Sequence, residues 1–279
     1  MSRGDTLGAS VISDSEVSSD DPVQGRAAGF WRDLAAIATR ALRQMRREPV
    51  SFLPAVFIPA FFYVVNLGAL GRLAAKGGLD YKEYLLPMAI AFAVTGVSRA
   101  PTLVTDIQSG YFDRLCLTPI RRLALLLGLM AADVVVIVAL TIPVLILGFA
   151  VGVRFSTGIG GVLVFIALAA LWGLVFTGFP YAVALKTGSP AAVNATFVVF
   201  FPFAFLTDAI IPKQDLTSWF STVATYNPVT YLLGALRSVI IGGWQVRPLL
   251  GGIAALAGLG LVSMTLALLA LRGRIRRGA

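Results

Sequence analysis

Long apolar stretches separated by short polar segments occupy the chain from about residue 50 to its end. Six of them approach or exceed the roughly 20 residues that a helix needs to cross about 30 Å of hydrocarbon. They cover residues 50–70, 84–105, 123–151, 159–185, 191–211 and 249–271. Several contain prolines, which membrane helices tolerate because neighbouring helices satisfy the carbonyls that a proline frees. The pattern predicts an all-α membrane protein with six transmembrane helices, some of them kinked.

The region before the first span has a different pattern. Residues 1–28 are rich in Ser and Asp and poor in large apolar side chains, so we expect a disordered tail. In residues 30–48, a rotation of about 100° per residue puts Phe30 and Trp31 on one face and several arginines on the opposite face. Such a helix lies along the inner membrane surface, either as a passive anchor or in contact with a partner. The chain thus divides into this tail and a membrane domain, residues 29–279.

The composition agrees with a membrane protein and argues against several kinds of enzyme. Hydrophobic residues make up 57% of the chain and charged residues 13%, whereas a soluble domain is about one quarter charged. The chain has no His, which removes the commonest metal ligand and the usual general base. None of its four lysines follows a glycine, so the phosphate-binding arrangement G-x-x-x-x-G-K-[ST] is absent. We therefore expect no catalytic residue, metal or cofactor on this chain, and its single cysteine, Cys116, excludes an internal disulfide.

The distribution of basic residues predicts the orientation in the membrane. With the N-terminus in the cytoplasm, twelve Lys and Arg residues lie in the inner segments and seven in the longer outer segments. We therefore expect both termini in the cytoplasm and the net charge of +9 mainly at the inner face, where it meets anionic lipid headgroups rather than nucleic acid. Arg outnumbers Lys by 19 to 4, and Ala, Gly and Leu are abundant, which is typical of a GC-rich bacterial genome and hence of a bacterial inner membrane.

A short charged connector, DIQSGYFDRLCLTPI at residues 106–120, joins the second and third apolar stretches on the expected cytoplasmic side. Its apolar residues at four-residue intervals are Ile107, Tyr111 and Leu115, and its charged residues are Asp106, Asp113 and Arg114. The interval predicts one apolar stripe on a short helix, which Thr118-Pro119 ends because the residue before a proline is pushed out of the helical region. No lipid covers a stripe in this place, so it indicates a protein partner.

Two motifs in the chain resemble those of the type-2 ABC exporter permeases. The cytoplasmic coupling segment of that family runs approximately as Glu-x-x-x-Gly-x-x-Glu-x-Leu-x-x-Thr-Pro. The residues in those places here are Asp106, Gly110, Asp113, Leu115, Thr118 and Pro119, with Asp instead of Glu at both acidic positions. The second motif, IPKQDLTSWFSTVATYNPVTYLLGALR at residues 211–237, resembles the family signature before the last span, most closely in its daunorubicin-resistance branch. Its matching residues are Pro212, Trp219, Asn227, Pro228, Tyr231 and Arg237.

The resemblance implies a transport subunit without an ATP site of its own. Two such permeases, identical or sister chains, would pair around a central pathway, and each would receive a separate cytoplasmic ATPase subunit that carries ATP and Mg²⁺. The connector would sit in a groove of the ATPase and convert its closure into movement of the spans. The cargo would be an amphipathic drug-like compound or a lipid. The alternative is an ion-gradient-driven secondary transporter, which usually shows internal repeats and broken helices in both halves of the chain.

Residues 212–244, before the last span, are apolar but interrupted by Asn227-Pro228 and by Arg237. Neither half is long enough to cross a bilayer, so we expect two short re-entrant helices in the outer leaflet. In the family that the chain resembles, these helices shield the outer exit of the pathway. An ordinary outer loop is the alternative.

A few polar residues inside the spans are candidates for the pathway. A carboxylate such as Asp133 costs roughly 2.5–3.5 kcal/mol near the centre of a span unless it is paired or hydrated, and Arg99 is the nearest basic residue in depth. A structural pair and a solvated role in the pathway both stay open. The candidate residues are Arg99, Asp133, Asn66, Asn194, Phe197 and Phe201. The two asparagines also suit hydrogen bonds between helices, and the two phenylalanines also suit packing against lipid.

Overall fold

The computed structural model describes residues 53–116 and 122–278 and, before them, only Arg32, Thr39 and Arg43, which are helical and exposed. The described part of the chain is helical and contains no strand. The predicted tail, the rest of the predicted surface helix, and Thr118 and Pro119 lie outside the described residues. The helices of the described part, five of which are long and apolar enough to cross a membrane, confirm the predicted fold class of an all-α membrane protein.

The helices are numbered here in chain order. They are α1 (Leu53–Lys76), α2 (Tyr81–Thr95), α3 (Ala100–Gln108), α4 (Tyr111–Cys116), α5 (Arg122–Ala150), α6 (Gly158–Thr187), α7 (Pro190–Phe205), α8 (Ser218–Tyr226), α9 (Pro228–Arg237) and α10 (Val246–Gly278). A 3-10 turn at Lys213–Asp215 precedes α8, and a π-helical turn at Ser238–Gly242 extends α9.

Five segments of the described chain are long and apolar enough to cross a membrane. They are Leu53–Lys76, Tyr81–Gln108, Leu126–Ala150, Gly158–Thr187 and Val246–Arg274, and they coincide with five of the six predicted spans. The remaining prediction, residues 191–211, corresponds to α7, which has only 16 residues. A helix of that length rises about 24 Å, which is less than the roughly 30 Å of the hydrocarbon layer.

Although α7 is short, its two ends lie near opposite ends of the bundle. Just before α7, the Gly188 carbonyl accepts a hydrogen bond of 3.0 Å from Nε2 of Gln108, at the end of α3. Just after α7, the Asp208 carbonyl accepts a hydrogen bond from the hydroxyl of Tyr84, near the start of α2. These two places are called the Gln108 end and the Tyr84 end below. The chain from Gly188 to Asp208 therefore runs the length of the α2–α3 segment.

Burial differs strongly between the helices. α2 is buried on nearly all sides, whereas α1 buries only Pro59 and Tyr63 and exposes a broad apolar surface. One core cluster joins α2, α5, α6 and α9, and a second lies around α3, α5 and α6 towards the Gln108 end. Exposed apolar side chains are expected on a membrane protein because lipid, not water, covers them. Some polar side chains on these helices, such as Thr95 on α2, Asp133 on α5 and Thr177 on α6, are therefore buried within the protein.

The helix α10 approaches α9 closely at a glycine. A Cβ atom built on Gly252 would lie 2.5 Å from Cβ of Ala235 and 3.1 Å from the carbonyl oxygen of Tyr231. Small residues allow such close approach of helices in membranes, where packing rather than the hydrophobic effect drives their association. The last long helix and the short helix before it are therefore held together at a position that only glycine fits.

Candidate functional site

The connector consists of two short helices, not of the single helix that its sequence predicts. α3 ends at Gln108, and α4 begins at Tyr111. Between them, Gly110 has a φ of 70°, in the left-handed region that glycine adopts at little cost. The predicted continuous stripe is therefore wrong, because Ile107 belongs to α3 and Tyr111 to α4.

The residues of the connector also differ in exposure. Ile107 is only 6% exposed and belongs to the core cluster towards the Gln108 end, as does Phe112. Tyr111 is 37% exposed, and Arg114 is exposed as well. Ile107 therefore anchors the connector to its own chain, which corrects the expectation that it faces a partner. Asp106 is half-buried on α3, and Asp113 and Leu115 lie on α4.

The connector meets two other segments at the Gln108 end. Gly188, which ends α6 with a φ of 61°, accepts the hydrogen bond from Gln108. A Cβ built on Gly188 would lie 3.6 Å from Nη1 of Arg274 on α10 and 3.7 Å from Cγ2 of Ile107. The connector is thus bonded to the turn between α6 and α7, and the end of α10 lies close to both.

The structure brings Asp133 and Arg99 together inside the protein. The Asp133 carboxylate is fully buried and accepts the backbone N–H of Arg99, with Oδ1 at 3.2 Å. It also accepts the hydroxyl of Tyr181, with Oδ2 at 2.7 Å. Arg99 lies at the break between α2 and α3, so one carboxylate joins this break to α5 and α6. Sequence reasoning found the acid and missed Tyr181, since a tyrosine in an apolar span carries no signal of its partner.

The other candidate pathway residues do not converge with this pair. The Asn66 amide donates to the Phe62 carbonyl of its own helix at 2.8 Å, which corrects the expectation that it bonds between helices. Asn194 is exposed on α7. Phe197 contacts Phe176 of α6, with ring centroids 6.1 Å apart. Phe201 is 47% exposed and contacts Phe92 of α2 and Phe205. The six candidate pathway residues therefore do not form one site.

The region before the last span is fastened to the end of α7 by Asn227 and Arg237. The Asn227 amide donates to the carbonyls of Phe203 and Leu206 at 2.6 and 2.9 Å, and its Oδ1 accepts the Val229 N–H at 2.9 Å. These bonds satisfy carbonyls where α7 ends and cap the start of α9, where Pro228 takes the first position.

Arg237 is only 8% exposed and lies at the centre of a polar cluster at the Tyr84 end. Its Nη1 pairs with Oδ2 of Asp208 at 2.8 Å, and its Nη2 donates to the carbonyls of Asp208 and Ala209 at 3.0 and 3.2 Å. Its Nε donates to the Tyr84 carbonyl at 3.1 Å, and its guanidinium carbon lies 3.6 Å from the Tyr84 ring centroid. Sequence reasoning missed Asp208, although an acid within an apolar stretch was a usable signal.

The other residues of the second motif lie at the surface of the same region. Trp219 on α8 is 63% exposed, and Tyr231 on α9 is 44% exposed with its hydroxyl donating to the Thr225 carbonyl at 2.9 Å. Pro212 is half-buried before the 3-10 turn. The two short helices predicted here correspond to α8 and α9, which separate at Asn227-Pro228.

A cavity of about 800 Å³ lies between α6, α7, α9 and α10 and is called the lateral groove. Its lining includes Trp172, Phe176, Lys186, Val199, Phe200 and Arg274. None of the six candidate pathway residues lines it. Within the described residues, no group of three Asp, Glu or Cys side chains is arranged to hold a metal ion.

Comparison with known proteins agrees with this architecture. The model of the ABC-2 type transporter family matches residues 32–241. The chain is 26% identical over 223 residues to the probable doxorubicin resistance ABC transporter permease protein DrrC of Mycobacterium tuberculosis, a match covering 79% of this chain and 81% of that protein. It is 25% identical over 213 residues to the daunorubicin resistance ABC transporter permease protein DrrB1 of Streptomyces coeruleorubidus, covering 74% and 75%. It is 22% identical over 216 residues to the putative transport permease ycf38 of Cyanophora paradoxa, covering 75% and 74%.

These matches extend over most of the chain, and the family match includes the connector and the polar cluster around Arg237. They confirm the resemblance drawn from the two sequence motifs and disfavour a secondary transporter. The chain belongs to the ABC-2 type transporter family, and it is a membrane permease subunit of an ABC exporter.

Proposed function

We propose that this permease exports an amphipathic drug-like compound across a bacterial inner membrane and that a separate cytoplasmic ATPase drives it. Two relatives that are named for doxorubicin and daunorubicin resistance support this class of cargo. ATP and Mg²⁺ would bind to the ATPase, because the permease sequence has no phosphate-binding lysine motif. A second permease, identical or a sister chain, would complete the transporter.

In the proposed topology the Gln108 end faces the cytoplasm and the chain crosses the membrane six times. α7 and the residues up to Asp208 would make the fifth crossing, since they reach from one end of the bundle to the other. The basic residues Lys186, Arg272 and Arg274 near the Gln108 end support a cytoplasmic location, because basic residues concentrate on that side. Both termini would then be cytoplasmic.

The observation that carries the coupling proposal is the form of the connector. Its Ile107 is buried in the permease, while Tyr111 and Arg114 on α4 are exposed. A segment that is anchored on one side and exposed on the other transmits a push from the ATPase as a rigid-body displacement, whereas a floppy loop would absorb it. Through Gln108 and Gly188, that displacement would reach the start of α7.

At the opposite end, α8 and α9 would be re-entrant helices that shield the outer exit. Arg237 and Asn227 support this assignment, because they fasten both helices to the end of α7 and satisfy backbone carbonyls there. Irregular backbone at membrane depth is tolerated only where protein or water covers it.

The test of coupling uses the permease copurified with its ATPase in mild detergent and reconstituted in vesicles. The double variant Asp113→Ala/Leu115→Ala should insert normally and lose ATP-driven doxorubicin transport, while ATP hydrolysis continues. The matched control, Asp215→Ala/Leu216→Ala, removes the same two residue types beside the 3-10 turn near the Tyr84 end and should transport normally.

Two results would contradict the proposal. Normal transport by the Asp113→Ala/Leu115→Ala variant would show that α4 does not couple the two proteins. Uphill transport by the purified permease alone, driven by an ion gradient, would show a secondary transporter instead.

A further inference from the structure

The lateral groove has an aromatic floor and an open side. Trp172, Phe176 and Phe200 are buried at its floor, with ring centroids 5.1 to 6.1 Å apart. At its rim, Val199 is 60% exposed and Leu269 is 55% exposed. Because exposed apolar side chains border it, the groove opens sideways out of the bundle, towards the hydrocarbon of the membrane.

Only one end of the groove is charged. Lys186 and Arg274 line it at the Gln108 end, whereas Pro228 and Val229 line it at the other. Within the part of the chain that the structure describes, neither Lys186 nor Arg274 forms an ion pair with an acidic side chain. The groove therefore combines a basic mouth with an apolar body.

The length of the groove matches one leaflet of a bilayer. Lys186 and Trp172 are 14 positions apart on α6, which corresponds to about 21 Å along the helix axis. A bilayer is roughly 40–45 Å thick when its headgroup regions are included, so one leaflet with its headgroups spans about half of that, roughly 20–22 Å. A ligand with a charged head at Lys186 would thus place its tail beside the aromatic floor.

We propose that the lateral groove binds an anionic phospholipid of the cytoplasmic leaflet as a resident ligand, separate from the exported cargo. The phosphate lies between Lys186 and Arg274, and an acyl chain follows the groove past Phe176 to Trp172. A cationic amphiphile would be repelled at the same mouth. Each basic residue near an anionic surface is expected to favour the anionic lipid about fivefold.

The experiment measures quenching of Trp172 fluorescence by brominated lipids. The full-length permease carries Trp31→Phe, Trp219→Phe and Trp244→Phe, which leaves Trp172 as its single tryptophan. It is reconstituted in phosphatidylcholine vesicles containing a small fraction of either dibrominated phosphatidylglycerol or dibrominated phosphatidylcholine. The proposal expects Trp172 to be quenched at several-fold lower mole fraction of the brominated phosphatidylglycerol.

Two double variants separate the groove from general surface charge. Lys186→Gln/Arg274→Gln should abolish the preference for phosphatidylglycerol. Arg272→Gln/Arg276→Gln removes the same net charge from exposed positions at the same helix end that do not line the groove, so it should leave the preference intact.

A third variant is designed to block the groove. A Cβ built on Gly273 meets no atom within 4 Å, so the backbone leaves space for a side chain, and Gly273→Leu should fill the basic mouth. It should reduce quenching by both lipids. Retained quenching in this variant would overturn the proposal.

Three further results would overturn the proposal. Equal quenching by both lipids in the parent would show that the groove does not select an anionic headgroup. Equal loss of preference in the two double variants would show an effect of surface charge alone. Absence of quenching together with disulfide cross-linking between Leu269→Cys copies would show that a second permease fills the groove. Neither ATPase nor cargo takes part, so the outcome is independent of the proposed export.

Discussion

The ion pair between Arg237 and Asp208 should make a large contribution to the stability of the Tyr84 end. The two side chains are only 10% and 16% exposed, so water screens their 2.8 Å contact weakly. Asp208→Asn removes the charge and keeps the size of the side chain. A hydrogen bond to a charged group contributes about 1.5–3 kcal/mol, so we expect this loss in the free energy of unfolding.

Arg237→Gln should cost more than Asp208→Asn. It removes the ion pair and the three bonds to backbone carbonyls. It also leaves the Asp208 carboxylate without its cation, and Oδ1 of that carboxylate has no hydrogen-bond partner among the described residues. Removing one partner of a buried pair costs about 3–5 kcal/mol. Arg237→Lys should recover only part of this loss, because a single ammonium group does not reproduce the planar array of donors.

The assay is a double-mutant cycle on unfolding by sodium dodecyl sulfate, followed by tryptophan fluorescence. Because both changes remove the same contact, the double variant Asp208→Asn/Arg237→Gln should cost about 1.5–3 kcal/mol less than the sum of the single variants. The control is Asp80→Asn, which breaks the more exposed pair with Lys82 and should cost at most about 1 kcal/mol. Additive costs in the cycle, or equal costs for Asp208→Asn and Asp80→Asn, would refute the reasoning.

Three further substitutions test contacts elsewhere. Gly252→Ala should destabilise the protein by about 1–3 kcal/mol through overpacking against α9. Gly258→Ala on the same helix has open space around it and should not destabilise the protein. Both variants are measured by unfolding in sodium dodecyl sulfate. Gly110→Ala should strain the connector by about 1–2 kcal/mol because its φ is positive, and should reduce transport per ATP hydrolysed at unchanged expression. Tyr181→Phe should cost about 1.5–3 kcal/mol by removing a bond to Asp133, seen as a lower unfolding midpoint.

Each of these substitutions has an outcome that contradicts its basis. Equal stability of the Gly252→Ala and Gly258→Ala variants would mean that α9 and α10 are not in close contact. Unchanged coupling in the Gly110→Ala variant would mean that the bend between α3 and α4 is not needed for transport. A neutral Tyr181→Phe change would mean that the Asp133 carboxylate depends on other donors.

The long spans could be predicted from the sequence because the bilayer sets their length and composition. The end of α7 could not, because its apolar pattern continues beyond the helix. α7 ends at Phe205 where the Asn227 amide, about twenty residues later in the chain, satisfies the carbonyls of Phe203 and Leu206. Apolar composition records burial or contact with lipid, but it does not record which distant side chain replaces a helical hydrogen bond.

The connector shows the same limit at a smaller scale. The sequence predicts the position of the connector between two spans, but its periodicity alone predicts one helix. A single glycine, Gly110, changes the direction of the chain and separates Ile107 from Tyr111. Only one partner of Asp133 could be predicted from the sequence. Depth in the membrane indicates Arg99, but it does not indicate the hydroxyl of Tyr181.

The two ends of the bundle are held by different kinds of contact, and this difference fits the proposed direction of force. At the Tyr84 end, the buried network of Arg237 joins α2, α9 and the end of α7. At the Gln108 end, an exposed hydrogen bond from Gln108 to Gly188 links the connector to α7, and exposed bonds open at a lower free energy than buried ones. Between the ends, Asp133 holds Arg99 at the break between α2 and α3. A displacement imposed on α4 is therefore expected to move α3 about this break while the Tyr84 end stays fixed. In the proposed topology, the cytoplasmic side of the pathway would then respond to the ATPase before the outer side does.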